Sequence, residues 1–398
     1  MRWLLAGALV VGWASLQPGG RPRARDLGIA PGALTPGPLN AITDVSGVRV
    51  GQVTIREGDS VRTGVTAILP HGGNLFQDKV AGAVFVGNAF GKLAGSTQVQ
   101  ELGTIETPIV LTNTLSVGTA IDATVRWTLA QPGNATIRSV NAVVGETNDA
   151  ALNDIRGLHV TRDHVIAAIT GASSGPVEEG TVGAGTGTVA FGWKGGIGTA
   201  SRKVRRSDAS SETWTVGVLV QSNYGGKLVI DGVSIWKELT PSRIGPAPAR
   251  DRVAGTLESE RRGPLPAAEA ASADGSCMIV VATDAPLDAK GLQRLAARAI
   301  FALARTGSTF SNGSGDFAIA FSTHASQRVN GATDAQPRTV IPTDGISALF
   351  EAVLDATEEA VDNSLLKATD VTANGRTVPA IPIDALRALL RRYGRGAP

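Results

Sequence analysis

Between positions 48 and 55 apolar and polar residues alternate and β-branched side chains dominate, the period-two pattern of a strand with one buried face. Shorter apolar runs at 66–69, 82–86, 142–144, 188–191, 216–220 and 278–282 predict further strands. Helical spacing appears at 121–129 and more strongly at 288–305, where Leu292, Leu295, Ala299 and Leu303 share one face. It recurs at 345–366 and 384–393. Strands and helices mix without a regular βαβ alternation, which predicts an α+β layered fold. The stretch 241–275 is rich in Pro, Ala and charge with no period, and reads as a long variable loop.

Composition narrows the picture. Apolar residues make up 42% of the 398, enough to bury a large core. A net charge of +2 with no basic run leaves no footprint for nucleic acid. The single cysteine, Cys277, excludes an internal disulfide framework and CxxC sites, and the four histidines are scattered without HExxH, so no metal is expected. Residues 1–25 combine Arg2, a short apolar run and small residues before Ala14. They read as an export signal and leader, too short to span a bilayer, which implies a periplasmic or secreted protein, otherwise a cytoplasmic one, with no membrane attachment in mature form. The remaining 26–398 reads as one domain.

Two glycine motifs fail on mechanism. Gly185-Thr-Gly187-Thr-Val-Ala190 has a dinucleotide-binding spacing, yet strand-like residues follow where a helix must open. Gly87 to Lys92 is one residue short of a phosphate loop and lacks its Ser/Thr. No cofactor is expected. The informative segment runs from Arg305 through Asn312-Gly313-Ser314-Gly315-Asp316 to an alternating strand that starts at Phe317. Taken alone, such a loop is an ordinary tight connection between helix and strand.

Its surroundings change that reading. The blocks Ala41-Ile-Thr-Asp-Val-Ser-Gly-Val-Arg-Val-Gly51, Gly87-Asn-Ala-Phe-Gly91, Val143-Val-Gly-Glu146-Thr-Asn-Asp149, Val218-Leu-Val-Gln-Ser-Asn223-Tyr-Gly225, Asn312-Gly-Ser314-Gly-Asp316 and Ala356-Thr-Glu358-Glu-Ala360 occur in one chain. Over roughly residues 38–370 the sequence resembles the L-aminopeptidase D-esterase family, which includes DmpA-type enzymes and β-peptidyl aminopeptidases. The resemblance implies an αββα sandwich with the nucleophile at the start of an inner strand. It also implies a self-cleaving precursor. Ser314 Oγ would attack the Gly313 carbonyl, leaving an α chain that ends at Gly313 and a β chain from 314 to 398. The amine so released has a pKa of about 7.7–8.0 and can act as the base for its own hydroxyl.

By the same resemblance Glu146 binds the substrate's ammonium, Asn223 donates to the oxyanion and Glu358 orients the new amine. Each has a plainer reading: an exposed strand-end Glu, a turn-forming Asn, and a boundary Glu on a helix. On the helix 345–366, Glu358 falls at the edge of the apolar stripe and Glu359 on the face opposite it. Asn148 stands where some members carry an aromatic residue at the oxyanion site, and Ala356 stands where some carry Ser. The implied activity is hydrolysis of the N-terminal residue from small peptides, amides or esters by a homo-oligomer, a tetramer of αβ units. The alternatives are a non-catalytic exported binding protein and an acyltransferase of the ornithine acetyltransferase type.

Overall fold

The computed structural model describes residues 20–206, 211–241, 275–331 and 334–397. The segment 1–25 expected to be an export leader therefore lies mostly, and the loop 241–275 almost wholly, outside the described residues. The principal strands are β1 (Arg49–Glu57), β2 (Val61–Leu69), β3 (Val80–Ala89), β4 (Leu93–Ala94), β5 (Thr104–Ile105), β6 (Ile109–Asn113) and β7 (Val143–Thr147). They continue with β8 (Val189–Ala190), β9 (Trp193–Lys194), β10 (Gly196–Arg205), β11 (Thr213–Asn223), β12 (Ser276–Thr283) and β13 (Gly315–Ser322). The helices are α1 (Ser96–Leu102), α2 (Val117–Leu129), α3 (Arg162–Thr170), α4 (Ala289–Arg305), α5 (Ser347–Leu366) and α6 (Ile383–Arg392).

One sheet has the order β1-β2-β6-β7-β4 and the other β10-β11-β12-β13-β3-β5. Each is mixed: β6 runs parallel to β7 and β12 to β13, while the other pairs are antiparallel. Strand alternation sorts the apolar side chains into three layers. In β13, Phe317, Ile319 and Phe321 pack between the sheets with Met278, Val280 and Leu219, whereas Ala318 and Ala320 face the other way, toward α4 and α5. The outer face of the first sheet packs on α2 and α3. The result is the four-layer αββα sandwich that the family resemblance implies.

The period-two runs mark strand cores but not their lengths; β11, for example, extends the run 216–220 in both directions. β10 escaped the pattern altogether. Its small and polar residues are buried because α5 lies directly on them: a Cβ on Gly198 would sit 1.9 Å from the Ala360 carbonyl oxygen. Gly198→Val is expected to destabilise the protein by about 3 kcal/mol or more, since backbone rather than a mobile side chain must yield; urea unfolding measures it.

The placement of Glu359 is a correction. It is fully buried, with Arg25 Nε at 3.0 Å and Arg202 Nη2 at 2.7 Å. A one-stripe helix would expose that face. However, α5 is covered on two sides, by β10 and β11 beneath and by the segment 20–45 from above. Residues of that segment dock firmly: Arg21 donates to the carbonyls of Leu366 and Ile381, and Ala24 is fully buried.

Candidate active site

One end of the sandwich collects the residues that the sequence singled out. Across the second sheet, Asn223 pairs with Ser276, Ser276 with Gly315 and Gly315 with Ala89. Two strand spacings put the Asn223 and Gly315 backbones on the order of 10 Å apart. The C-terminal end of β7 brings Glu146 and Thr147 to the same end from the first sheet. Gln221 ties the sheets together there, with Nε2 donating to Thr147 Oγ1 at 2.9 Å and to the Ala184 carbonyl at 2.9 Å.

Ser314 immediately precedes β13, a central strand flanked by β12 and β3. The Asn312-Gly313 corner is a tight turn closed by a 2.9 Å bond from the Ser314 N–H to the Ser311 carbonyl. The block from Gly87 to Gly91 holds the turn from the side. Asn88 Nδ2 donates to the Ser311 carbonyl at 2.7 Å, and the Phe90 N–H donates to the Ser314 carbonyl at 3.2 Å. The Gly315 N–H donates to Ser276 Oγ at 3.2 Å. The Ser314 hydroxyl is buried and completes no hydrogen bond.

Glu146 is buried beside this turn. Its Oε1 accepts the Lys92 N–H at 2.9 Å and lies 3.8 Å from Lys92 Nζ, which itself donates to Thr114 Oγ1. Burial pushes the carboxyl above its ordinary range, with Lys92 and Thr114 opposing. Gly91 is the shared wall. A Cβ there would lie 3.0 Å from Glu146 Oε1 and 3.5 Å from Gly315 Cα, so the carboxylate and the residue after Ser314 flank the same glycine. Phe90 (66% exposed) and Leu115 (48% exposed) are apolar side chains left open next to Gly91 and Thr114.

Asn223, the last residue of β11, is clamped. Its Oδ1 accepts the Val189 N–H at 2.9 Å and its Nδ2 donates to the Asn148 carbonyl at 3.0 Å. An amide nitrogen carries two hydrogens, so this bond uses one of them. Asn148 is exposed, and its Oδ1 accepts the Ala150 N–H at 3.0 Å in a local turn. Its side chain thus shapes the loop after β7, and its backbone fixes Asn223.

Glu358 is already engaged. Its carboxylate is paired with Arg305, the last residue of α4, at 3.3 Å; the same Arg305 nitrogen lies 2.9 Å from Asp355. Burial raises the Glu358 carboxyl, and Arg305 opposes that rise. In the continuous chain the structure therefore gathers Ser314, Gly313, Glu146, Asn148 and Asn223 at one end but leaves Glu358 on Arg305. Ala356 is fully buried, and its methyl group offers nothing to a polar relay.

The sequence alone assigned no role to Asn88, Lys92, Ser276 or Asp316. The Gly87–Gly91 and Asn312–Asp316 blocks contain two of the four, Asn88 and Asp316, and Lys92 directly follows the first, so the signal was the block rather than any residue type. Asp149, next to Asn148, is buried with Asn153 Nδ2 on its Oδ1, and burial lifts its carboxyl to about 6. A separate cavity of about 510 Å³ lies between Arg23, Val177, Glu179, Thr199 and Lys367; no residue of the Ser314 site borders it. Among the described residues no His/Cys/Asp/Glu group is arranged to hold a metal ion.

Comparison with known proteins agrees with this geometry. The model of peptidase family S58 matches residues 40–378. The chain is 42% identical to the β-peptidyl aminopeptidase BapA of Sphingosinicella microcystinivorans, covering 98% of this chain and 97% of that one. The structure of a β-aminopeptidase from Burkholderia sp. superposes with a TM-score of 0.79 at 39% identity, covering 94% of this chain and 99% of that one. The L-aminopeptidase D-Ala-esterase/amidase of Ochrobactrum anthropi, described as a prototype serine aminopeptidase with a variant of the Ntn hydrolase fold, superposes with a TM-score of 0.81 at 37% identity, over 95% of this chain and 100% of that one.

Proposed function

Because the chain belongs to peptidase family S58 and is an aminopeptidase of that hydrolase family, we propose that it cuts itself between Gly313 and Ser314 and then removes N-terminal residues, β-amino acids included, from small peptides, amides and esters. One observation carries the reading: Glu146 and the start of β13 share Gly91 as a wall. A carboxylate at that spot holds a substrate ammonium one residue away from the attacking hydroxyl, which restricts attack to chain ends. The β-peptidyl preference follows the names of the BapA and Burkholderia relatives. Those relatives favour neither the binding-protein nor the acetyltransferase alternative.

In the proposed cycle, the Ser314 amine takes the hydroxyl proton as Oγ attacks the substrate carbonyl, and then protonates the leaving amine. The remaining N–H of Asn223 meets the oxyanion, since its partner Oδ1 is pinned by Val189 and the amide cannot rotate away. Water then hydrolyses the acyl-enzyme by the same route in reverse. Glu358 is the carboxylate proposed to orient the new amine once the cut has released it from Gly313. A homotetramer of αβ units and the export leader complete the proposal; sedimentation velocity and N-terminal sequencing read them.

Glu146→Gln keeps the shape but removes the charge. Hydrolysis of amides with a free N-terminal amine is expected to fall about 10- to 150-fold in kcat/KM, as for the loss of a charge-assisted hydrogen bond. An ester of the corresponding des-amino acid should be hydrolysed at the wild-type rate. Equal losses on both substrates refute the ammonium site. The raised Glu146 carboxyl adds a pH signature. It protonates at a higher pH than an ordinary glutamate, so kcat/KM for free-amine substrates drops on the acid side above the usual carboxylate range, and this limb disappears in Glu146→Gln.

A further inference from the structure

Self-cleavage meets a difficulty that later turnover does not. Before the cut, the nitrogen of Ser314 is an amide with no basicity, so the amine that would accept the hydroxyl proton does not exist yet. The other bases of the site are occupied. Glu146 accepts from Lys92, and Glu358 is paired with Arg305. The buried Lys194 spends its Nζ on the carbonyls of Gly185 and Gly195. Each of the four histidines is engaged elsewhere: His71 with Asp78, His159 with Asp154, His164 with Thr161 and His324 with Ser326.

Asp316 is different. It is fully buried, both of its carboxylate oxygens lack a completed hydrogen bond, and so does the hydroxyl of Ser314 two residues earlier on the same strand face. Burial raises the Asp316 carboxyl, and the Ser314 side chain and then the Cys277 backbone oppose that rise. Side chains two positions apart along an extended chain project to one side, which sets the Ser314 hydroxyl and this carboxylate on the same side of the chain. A buried, unpaired carboxylate is expensive; Asp362 of α5 shares these features, but Asp316 is the one that lies on the strand Ser314 leads into. Resting on the self-cleavage reading above, we infer that Asp316 is the base of the first, intramolecular cut.

In this step the Asp316 carboxylate takes the Oγ proton as Oγ bonds to the Gly313 carbonyl carbon. The tetrahedral intermediate collapses by breaking the Gly313–Ser314 C–N bond, and Asp316 hands its proton to the departing nitrogen. The product is a Gly313 ester on Oγ and a free amine. Water adds to the ester, leaving the Gly313 carboxyl and the Ser314 hydroxyl. Asp316 begins and ends ionised, and the net change is hydrolysis of one peptide bond.

Burial lifts this carboxyl to about 6, so it is ionised at neutral pH yet more basic than an exposed aspartate. The titratable groups facing it are Cys277 of β12 and Tyr224 just beyond β11, and beyond Tyr224 comes Asp362 of α5, all three pushed by burial toward their neutral forms. From the other sides come Asn88 of β3, its register partner, and Ile300 of α4 across Gly87, neither of which titrates.

The test follows appearance of the 314–398 fragment, by gel and intact mass, after cell-free synthesis of the full chain and transfer to buffers from pH 5 to 9. The wild-type rate should climb through about pH 6 and then level off. Asp316→Asn should cut at least about 100-fold more slowly and without that step, as expected for loss of a general base, while melting no lower than wild type at pH 8. Asp316→Glu, which keeps the charge, should retain the pH step at a reduced rate, and it decides the matter if the Asn variant does not fold. Cutting by Asp316→Asn within threefold of wild type, or by Asp316→Glu without the step, overturns the inference alone. A wild-type chain that stays whole, or a Ser314→Ala chain that is still cut at the same bond, overturns the self-cleavage reading instead.

Discussion

Ser314→Ala is expected to leave a single chain of full length and to reduce hydrolysis of free-amine amides by about 10⁴-fold or more, the scale seen when a nucleophile that works as a unit with its base is removed. Both losses come from one atom, because in the proposed cycle the hydroxyl that opens the Gly313–Ser314 bond is the hydroxyl that later attacks substrate. The fold should survive. Alanine removes the side chain that steadies the buried Asp316 carboxylate, which then takes up a proton more readily, so the melting temperature should stay within a few degrees of wild type near neutral pH. The turn at 312–313 should also persist, since the Asn88 and Phe90 bonds that hold it reach backbone carbonyls. Fragment analysis and steady-state kinetics on the same preparation check both outcomes. A variant that is whole but still turns over substrate at more than a few per cent would refute the link between the cut and the catalyst.

The largest expected effect on stability lies far from Ser314. Arg202 and Glu359 are both fully buried and 2.7 Å apart, with Arg202 also donating to the carbonyls of Pro31, Ser201 and Asp355. Arg202→Met should cost about 3–5 kcal/mol, because Glu359 and three carbonyls lose their donor in a site water does not reach. Glu359→Met should cost a similar amount by stranding Arg202. The double variant is expected to recover part of the loss, since no unpaired charge is left at that contact; Arg25 and Asn40, which also donate to Glu359, limit the recovery. Urea denaturation of the four proteins closes the cycle. Additive losses would show that the pair is not coupled.

These two predictions sit on opposite sides of what a one-dimensional reading reaches. The strand at 48–55, the helix at 288–305 with Asp288 capping the Gly291 N–H at 2.8 Å, and the helix–turn–strand passage through 305–322 are written in local periodicity and capping chemistry, which need only neighbouring residues. The site blocks were also legible, through their joint resemblance to those of one family, since each lies within a few consecutive positions. Strand β10 was not, because a Gly- and Ser-containing run turns apolar in context only when a helix seals it. Helix α3 was not either, being short and weakly amphipathic, with a Thr161–His164 cap in place of the usual acidic one.

The residues by themselves determined the layered α+β class and the small-residue turn between a helix and a strand at 305–322, while the roles of Glu146, Asn223 and Ser314 came from the family resemblance. Only tertiary structure decided which groups face which. It put Gly91 between Glu146 and Gly315, gave Glu358 to Arg305, buried Glu359 between two arginines, and buried Asp316 two residues from Ser314 with both carboxylate oxygens unsatisfied. The physical reason is range. Periodicity and capping are set by contacts a few residues apart, whereas pairing and desolvation of a charge depend on segments hundreds of positions away closing over it.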